Sequence, residues 1–153
     1  MGVALLGGLL MAAGGGMAEE TVPFPKLPEG AGEISSKAAK TFTTTESGLK
    51  YRILRPGTGV KPTAQQKVVA NYQGWLFNGR LFDSSYARGM PTTFGLNQVV
   101  KGWTEGLQLV GKGGMIELEI PGYLGYGLQG QSGSGIPPNA TLHFLVELID
   151  VMD

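Results

Sequence analysis

From Gly48 onward, apolar and polar residues recur with the periods of strands and of one helix. In "KVVANYQGWLF", every second residue is apolar or small, and Tyr72 points to the same face as these residues. The Asn78-Gly79 pair that follows suits a turn with positive φ, so a hairpin of two antiparallel strands is expected. Upstream, "GLKYRILRPGTG" predicts another strand, which a Pro-Gly turn closes.

Two later segments show the strict alternation of strands that have one buried and one solvated face. The residues expected on the buried face are Ile116, Leu118, Ile120, Leu142, Phe144, Val146 and Leu148. Glu117 and Glu119 would then lie on the solvated face. His143, the single histidine, alternates away from the apolar set, so we interpret it as a surface strand residue rather than a catalytic base.

The segment "LNQVVKGWTEGLQLV" changes to the period of a helix. One apolar stripe of this helix carries Val99, Trp103, Leu107 and Val110. Asn97 can cap its start. Gly102 and Gly106 each weaken a helix by roughly 1 kcal/mol relative to Ala, which is explained if another element packs closely against them. The whole pattern predicts an α+β fold, a twisted antiparallel β-sheet half-wrapped around one short α-helix.

The first 46 residues differ from this pattern. Residues 1–18 are apolar and uncharged, but fewer than the roughly 20 residues that span a membrane. They are typical of the apolar core of a secretory signal, with Gly16 and Ala18 preceding a cut before Glu19. We therefore expect export to the periplasm rather than a cytoplasmic location, with an uncleaved membrane tether as the alternative. Residues 19–46 are rich in Pro, Gly, Ser and Thr, which predicts a disordered linker.

Composition argues against several classes of function. Twelve basic and twelve acidic residues give a formal net charge of zero, without the basic cluster that a nucleic acid partner requires. Without cysteine there is no disulfide, thiolate zinc site or cysteine nucleophile. His, Asp and Glu do not cluster at the spacing of metal ligands. Ser84 and Ser85 lack a nearby histidine, so we interpret them as turn-forming residues rather than nucleophiles.

The stretch "GRLFDSSYARG" places an acid beside an aromatic ring and an arginine five residues later. Asp83 and Arg88 could form an exposed ion pair in a turn, or the polar corner of an apolar pocket. The aromatic candidates for such a pocket are Tyr72, Phe82, Phe94, Trp103, Tyr126 and Phe144. Spacing alone does not separate a pocket wall from plain core packing for these rings.

Several segments together resemble the FKBP-type peptidyl-prolyl cis-trans isomerases. The resemblance rests on "VVANYQGWLFNGRLFDSSYARGMPTTFGLNQVVKGWTEGLQLV" and "GYGLQGQSGSGIPPNATLHFLVELIDV", and it runs from about Ser47 to Asp153. The segments "SGLKYRILRPGTG" and "FDSSYARG" are most similar to the bacterial, macrophage-infectivity-potentiator-like branch. The resemblance implies an isomerase domain over residues 47–153, which rotates X-Pro bonds without a cofactor or metal and assists the folding of exported proteins.

The resemblance also implies roles for individual residues. The implied catalytic residues are Tyr72, Phe82, Asp83, Tyr126 and Phe144. The implied substrate-binding residues are Arg88, Val99, Val100, Trp103 and Ile136. In the family's arrangement, Trp103 would form the floor of the pocket and Arg88 would pair with Asp83. The N–H of Val100 would bind a substrate carbonyl, and Tyr126 and Ile136 would lie on a flap.

Two departures from the family's pattern concern substrate preference and inhibitor affinity. Thr92 occupies a position that is often aromatic, and residues 128–135 are rich in Gly and Ser.

The implied partners are proline-containing peptides, unfolded proteins and the macrolide inhibitors of the family. Because residues 19–46 are too short and proline-rich for the long helical dimerisation region common in this branch, we expect a monomer. The alternative is a peptide-binding or chaperone module that uses the same groove with little isomerase activity.

Overall fold

The computed structural model describes residues 20–153 as one antiparallel sheet with two α-helices. The secretory signal expected over residues 1–18 lies outside the described residues. The strands are β1 (Thr43–Thr44), β2 (Lys50–Arg55), β3 (Lys67–Leu76), β4 (Leu81–Ser84), β5 (Thr92–Gly95), β6 (Met115–Ile120) and β7 (Leu142–Met152). The helices are α1 (Ser85–Arg88) and α2 (Lys101–Leu107). The strands pair in the order β1-β2-β6-β7-β3-β4, and β5 also pairs with β3.

The two long strands β3 and β7 lie side by side in the sheet and fix the register of its inner face. Tyr72 pairs with Val146, and Gly74 pairs with Phe144. The predicted alternation is present, since the inward residues of β3, β6 and β7 are buried. Because α2 packs its apolar residues into the same core, the fold is the predicted α+β arrangement of a sheet around one main helix.

Helix α2 packs so closely on the sheet that only glycine fits at two of its positions. A Cβ atom at Gly102 would lie 2.7 Å from the side chain of Ile120. One at Gly106 would lie 2.6 Å from the side chain of Leu118. The close approach that these two glycines indicated in the sequence is therefore confirmed, and it offsets the cost of glycine in a helix.

The start of α2 differs from the prediction. Asn97 lies in a separate 3-10 turn, Leu96–Gln98, and the extended backbone of Val99 and Val100 separates this turn from the helix. Val100 is the N-cap residue, and no side chain caps this helix. The predicted capping role of Asn97 is therefore wrong, because the apolar period continues through residues that are not helical.

The outer face of the sheet is covered near its middle rather than solvated. Glu117 on β6 is buried, and its carboxylate accepts a hydrogen bond from Arg52 Nε at 2.7 Å and lies 2.6 Å from His143 Nε2. The Arg52 guanidinium also donates to the carbonyl oxygens of Val22 and Pro23, both at 2.7 Å. The expectation that Glu117 faces solvent is wrong, and His143 is largely covered, because the N-terminal segment packs over this face.

Residues 20–46, which we name the N-terminal strap, form this cover. Three apolar side chains of the strap pack on a second core cluster: Leu27, Ile34 and Ala38. The Gly32 N–H donates to the Glu147 carboxylate at 3.1 Å, and β1 adds a short strand to the sheet. The expectation of a disordered linker is thus corrected, because apolar contacts and the carbonyl groups that bind Arg52 hold this segment on the sheet.

Within residues 20–153, no helix has the length and apolar character needed to cross a bilayer.

Candidate functional site

A cavity of about 480 Å³ opens between α2 and the inner face of the sheet. Its lining residues are Tyr72, Phe82, Asp83, Phe94, Gln98, Val99, Val100, Trp103, Tyr126 and Phe144. They come from strands β3, β4, β5 and β7, from the beginning of α2 with the turn before it, and from the loop after β6. Side chains that are distant in sequence converge here, because the strand register places their inward faces around the N-terminal end of α2.

The indole ring of Trp103 is the centre of the aromatic wall. Trp103 is 3% exposed, and its ring meets three others edge to face. The centroid distances are 5.2 Å to Tyr72, 5.1 Å to Phe94 and 5.4 Å to Phe144. Edge-to-face contacts of this kind are favourable and directional, so they fix the orientation of each ring and hence the shape of the cavity.

Gly74 makes room for two further rings of the wall. A Cβ atom at this position would lie 2.6 Å from the Phe144 ring and 2.7 Å from the Phe82 ring. These two rings are perpendicular, with centroids 5.5 Å apart. A side chain at position 74 would therefore displace the aromatic groups that close this side of the cavity.

One corner of the cavity is polar and consists of three side chains. The Tyr72 hydroxyl donates to Asp83 Oδ2 at 2.5 Å, and Arg88 Nη1 donates to Asp83 Oδ1 at 2.5 Å. Arg88 Nη2 also donates to the Tyr72 hydroxyl at 3.0 Å and to Thr92 Oγ1 at 3.3 Å. Both carboxylate oxygens of Asp83 are thus satisfied, which allows a charged group to lie beside an apolar wall.

Short-range hydrogen bonds around α1 position this corner. Ser84 Oγ accepts from the Ala87 N–H at 3.2 Å and caps α1. Ser85 Oγ donates to Asn71 Oδ1 and accepts from the Tyr72 N–H, both at 2.8 Å. The two serines therefore turn the chain, as predicted, and the single turn of α1 brings the arginine at its end back to the carboxylate before its start.

The charges of the corner follow from its hydrogen bonds. Burial raises the pKa of Asp83, but the hydrogen bonds from Tyr72 and Arg88 outweigh this effect and hold the pKa below its usual value. Burial and the bond to Asp83 raise the pKa of the Tyr72 hydroxyl. Burial and the negative charge of Asp83 likewise raise the pKa of Tyr126. At neutral pH, the cavity therefore presents one carboxylate, paired with a guanidinium, and two neutral phenols.

All the site residues predicted from the sequence line this cavity except Arg88 and Ile136. Arg88 reaches it through its bonds to Asp83 and Tyr72. Ile136 is buried in the main apolar core, where it exchanges two backbone hydrogen bonds with Gln131. Ile136 is therefore a buried core residue that does not line the cavity.

Two lining residues were absent from the sequence-based set of site residues. Phe94 pairs with Val68 across β5 and β3, and its ring contacts Trp103. The sequence identified Phe94 as an aromatic candidate, but it gave no signal that β5 lies beside β3. Gln98 lies in the 3-10 turn before α2, and no pattern in the sequence singles out this residue.

The wall can hold a compact apolar group next to hydrogen-bonding side chains. The His143–Glu117 pair lies on the outer face and does not line this cavity. Among the residues that the structure describes, no group of three or more His, Asp or Glu side chains is placed to hold a metal ion. The arrangement therefore offers shape, exclusion of water and hydrogen bonds rather than a nucleophile beside a base.

Sequence comparison with known proteins points to one family. The family model described as FKBP-type peptidyl-prolyl cis-trans isomerase matches residues 58–149, a range that contains every lining residue of the cavity. A probable FKBP-type peptidyl-prolyl cis-trans isomerase of Haemophilus influenzae is 54% identical over 112 residues, which are 73% of this chain and 46% of that protein. The peptidyl-prolyl cis-trans isomerase Mip of Coxiella burnetii is 47% identical over 108 residues, which are 71% of this chain and 46% of that protein.

Comparison with solved structures gives the same result. The crystal structure of FkpA from Escherichia coli is similar with a TM-score of 0.70 and 49% sequence identity. The match covers 72% of this chain and 51% of the FkpA chain. The chain spans less than half the length of the two curated relatives described above. The family match over residues 58–149 includes strands β3 to β6, most of β7, helix α2 and every residue that lines the cavity.

Proposed function

Because the chain belongs to the FKBP-type peptidyl-prolyl cis-trans isomerase family, we propose that it accelerates the cis-trans rotation of X-Pro peptide bonds. The relatives also confirm the resemblance inferred from the sequence, including the similarity to Mip proteins. The observation that carries the proposal is the cavity of aromatic rings around Trp103, with its charged corner at Asp83.

The chemistry of X-Pro rotation suits a site without a nucleophile. Rotation twists a resonant amide over a barrier of roughly 18–20 kcal/mol, and no covalent bond breaks. In the twisted state resonance is lost, so the carbonyl oxygen carries less negative charge than in the planar amide. An apolar site from which water is excluded therefore disfavours the planar form relative to the twisted one. Lowering the barrier by about 7 kcal/mol would accelerate rotation by on the order of 10⁵-fold.

Each part of the cavity has a role in this proposal. The rings of Phe82, Trp103 and Phe144 enclose the proline ring, which is a compact apolar group. The neutral hydroxyl of Tyr126 is a hydrogen-bond donor at the rim, where it can hold the substrate carbonyl in the twisted geometry. The Asp83 carboxylate is held by Arg88 and Tyr72 and forms a fixed polar corner beside the X-Pro bond that rotates.

Family membership also bears on partners and location. Members of this family bind proline-containing peptides. For this chain we propose unfolded, exported proteins as clients and the macrolide inhibitors of the family as cavity ligands. We further propose that residues 1–18 direct the chain to the periplasm, where it assists folding as a monomer. The proposed location rests on the apolar, uncharged N-terminal sequence, and the proposed monomer rests on the strap, which packs on its own sheet.

A proline-peptide assay on the full chain tests the proposed activity. Exchange NMR on an Ala-Leu-Pro-Phe peptide measures both the rotation rate and binding in one sample. Faster exchange between cis and trans resonances than in buffer would support isomerisation. Binding without faster exchange would instead favour the peptide-binding or chaperone module, which uses the same cavity without accelerating rotation.

A further inference from the structure

The two sides of the cavity mouth belong to segments that are far apart in the chain. Phe82 and Asp83 lie on β4, directly after the hairpin turn that joins β3 to β4. Tyr126 lies just before residues 128–135, a Gly- and Ser-rich segment that we name the flap loop. The Tyr126 carbonyl oxygen accepts a hydrogen bond from the Gly130 N–H of this loop at 3.2 Å, so a contact between the hairpin and the flap loop joins the two sides of the cavity.

Arg80 makes this connection. Its Nη2 atom donates to the carbonyl oxygen of Gly135 at 2.5 Å and to that of Ser134 at 3.4 Å. Gly135 has a φ of +72°, and a Cβ atom there would lie 2.6 Å from Arg80 Nη2. The guanidinium thus lies directly against the glycine backbone, in a contact that a larger residue at position 135 would prevent.

The backbone of Arg80 is itself held in the hairpin turn. Its N–H donates to Asn78 Oδ1 at 3.0 Å, and its carbonyl oxygen accepts from the Leu76 N–H at 2.9 Å. The side chain therefore extends from a fixed point next to the strand that carries the polar corner. Because both ends of the contact are defined, it can transmit the position of the hairpin to the flap loop.

Apart from the bonds from Arg80, the described hydrogen bonds of the flap loop stay within it or go to its neighbours Tyr126, Gly127 and Ile136. Gln131 and Ile136 exchange backbone hydrogen bonds at 2.8 and 2.9 Å, and Ile136 is 3% exposed. Leu128, the one large apolar side chain of the loop, is 82% exposed and so contributes little burial. Gly- and Ser-rich segments lose much conformational entropy when they are ordered, which makes each hydrogen bond to the loop important.

We propose that Arg80 is a positioning residue that orders the flap loop before substrate binds and thereby sets the affinity for proline peptides. This inference rests on the proposed isomerase function. Without the Arg80 contact, the substrate itself would have to order the loop, so binding would weaken. The ground state and the transition state would lose the same binding free energy, because the loop lies outside the cavity in which the amide twists. KM should therefore rise while kcat stays constant.

Exchange NMR with the Ala-Leu-Pro-Phe peptide, titrated to saturation, tests this inference on the full chain. Arg80→Met should raise KM roughly three- to tenfold and leave kcat within about twofold of wild type. Arg80→Lys, which keeps a cationic N–H donor but loses the planar guanidinium, should give an intermediate KM. Lys61→Met is the matched control, since it removes an exposed cation that does not line the cavity.

Two kinetic results would overturn the role of Arg80. One is a KM for Arg80→Met within twofold of wild type, and the other is a kcat that falls as much as kcat/KM does. Hydrogen exchange gives a readout that does not depend on activity, since amides 131–136 should exchange faster in Arg80→Met than in wild type. Unchanged exchange would also contradict the proposal. An inactive wild type with the expected exchange difference would instead reject the isomerase function and keep Arg80 as the anchor of the loop.

Discussion

Arg52 and Glu117 form a buried ion pair on the outer face of the sheet, with Arg52 Nε 2.7 Å from Glu117 Oε1 and side chains 0% and 2% exposed. The Arg52 guanidinium lies between the rings of Phe24 and Phe42, at 5.0 and 4.6 Å from their centroids. Its other donors bind strap carbonyls, so one side chain joins the strap to the sheet. A buried pair of this kind is costly to break, because the Glu117 carboxylate would then keep only His143 as a partner.

We therefore expect Arg52→Ala to lower the free energy of unfolding by about 3–5 kcal/mol. Lys50 and Glu119 provide a matched control, since they pair across the same two strands but are separated by 3.9 Å and are partly exposed. Lys50→Ala should cost about 0–1 kcal/mol. Urea unfolding of both variants makes the comparison. Equal losses in the two variants would mean that the strap is not held by the buried pair.

The Arg88–Asp83 pair should affect activity even though both side chains are partly exposed. Arg88→Ala leaves the Asp83 carboxylate without its cation beside the aromatic wall, so we expect kcat/KM to fall about tenfold. Lys112 and Asp150 form a pair of similar exposure, 48% and 46% against 47% and 38%. Lys112→Ala should leave kcat/KM unchanged, because this pair does not line the cavity. Equal kcat/KM values of Arg88→Ala and Lys112→Ala in a peptide assay would mean that the Arg88–Asp83 pair is an ordinary surface ion pair.

The pH dependence of activity should follow the carboxylate of Asp83. Its pKa lies below the usual value of about 3.9, so the hydrogen bonds of the corner are complete at neutral pH. They are lost only as the pH falls through this lowered pKa. The raised pKa of Tyr72 keeps its hydroxyl neutral up to high pH. We expect constant kcat/KM from about pH 8 to about pH 5 and a decrease below about pH 4.

Asp83→Asn provides the control for this pH profile. The amide keeps the shape of the corner but does not titrate, so its activity should be lower at neutral pH and independent of pH down to acid unfolding. Circular dichroism at each pH separates loss of the fold from loss of activity. A wild-type profile that declines between pH 5 and pH 7 would contradict the assignment to Asp83.

The inner face of the sheet and helix α2 could be predicted from the sequence, because the patterns that indicate them are local. Alternation along β3, β6 and β7 identified the buried face, and Gly102 and Gly106 indicated the close approach of a helix. The resemblance to the family then separated Phe82, Asp83 and Trp103 from ordinary core residues. Ile136, which the same resemblance assigns to the site, is a core residue that does not line the cavity, so its role in substrate binding stays a prediction.

The cover on the outer face of the sheet could not be predicted from the sequence in the same way. A Glu that alternates with apolar residues is predicted to face solvent. No pattern in the neighbouring sequence indicates that Arg52 lies opposite Glu117 on the adjacent strand. The composition of the strap suggested disorder, because its prolines rule out a long helix. What orders it is a few long-range contacts, such as Gly32 with Glu147, which lie 115 positions apart and have no periodic signature.

The central claim is that the aromatic cavity with its Asp83 corner rotates X-Pro bonds. The most direct test is the rate of cis-trans exchange of the Ala-Leu-Pro-Phe peptide with the full chain, wild type beside Asp83→Leu and Tyr126→Phe. Wild type should accelerate exchange by several orders of magnitude over buffer, and both variants should lose at least several-fold in kcat/KM while remaining folded. A wild-type rate equal to that in buffer, or variants as active as wild type, would contradict the account.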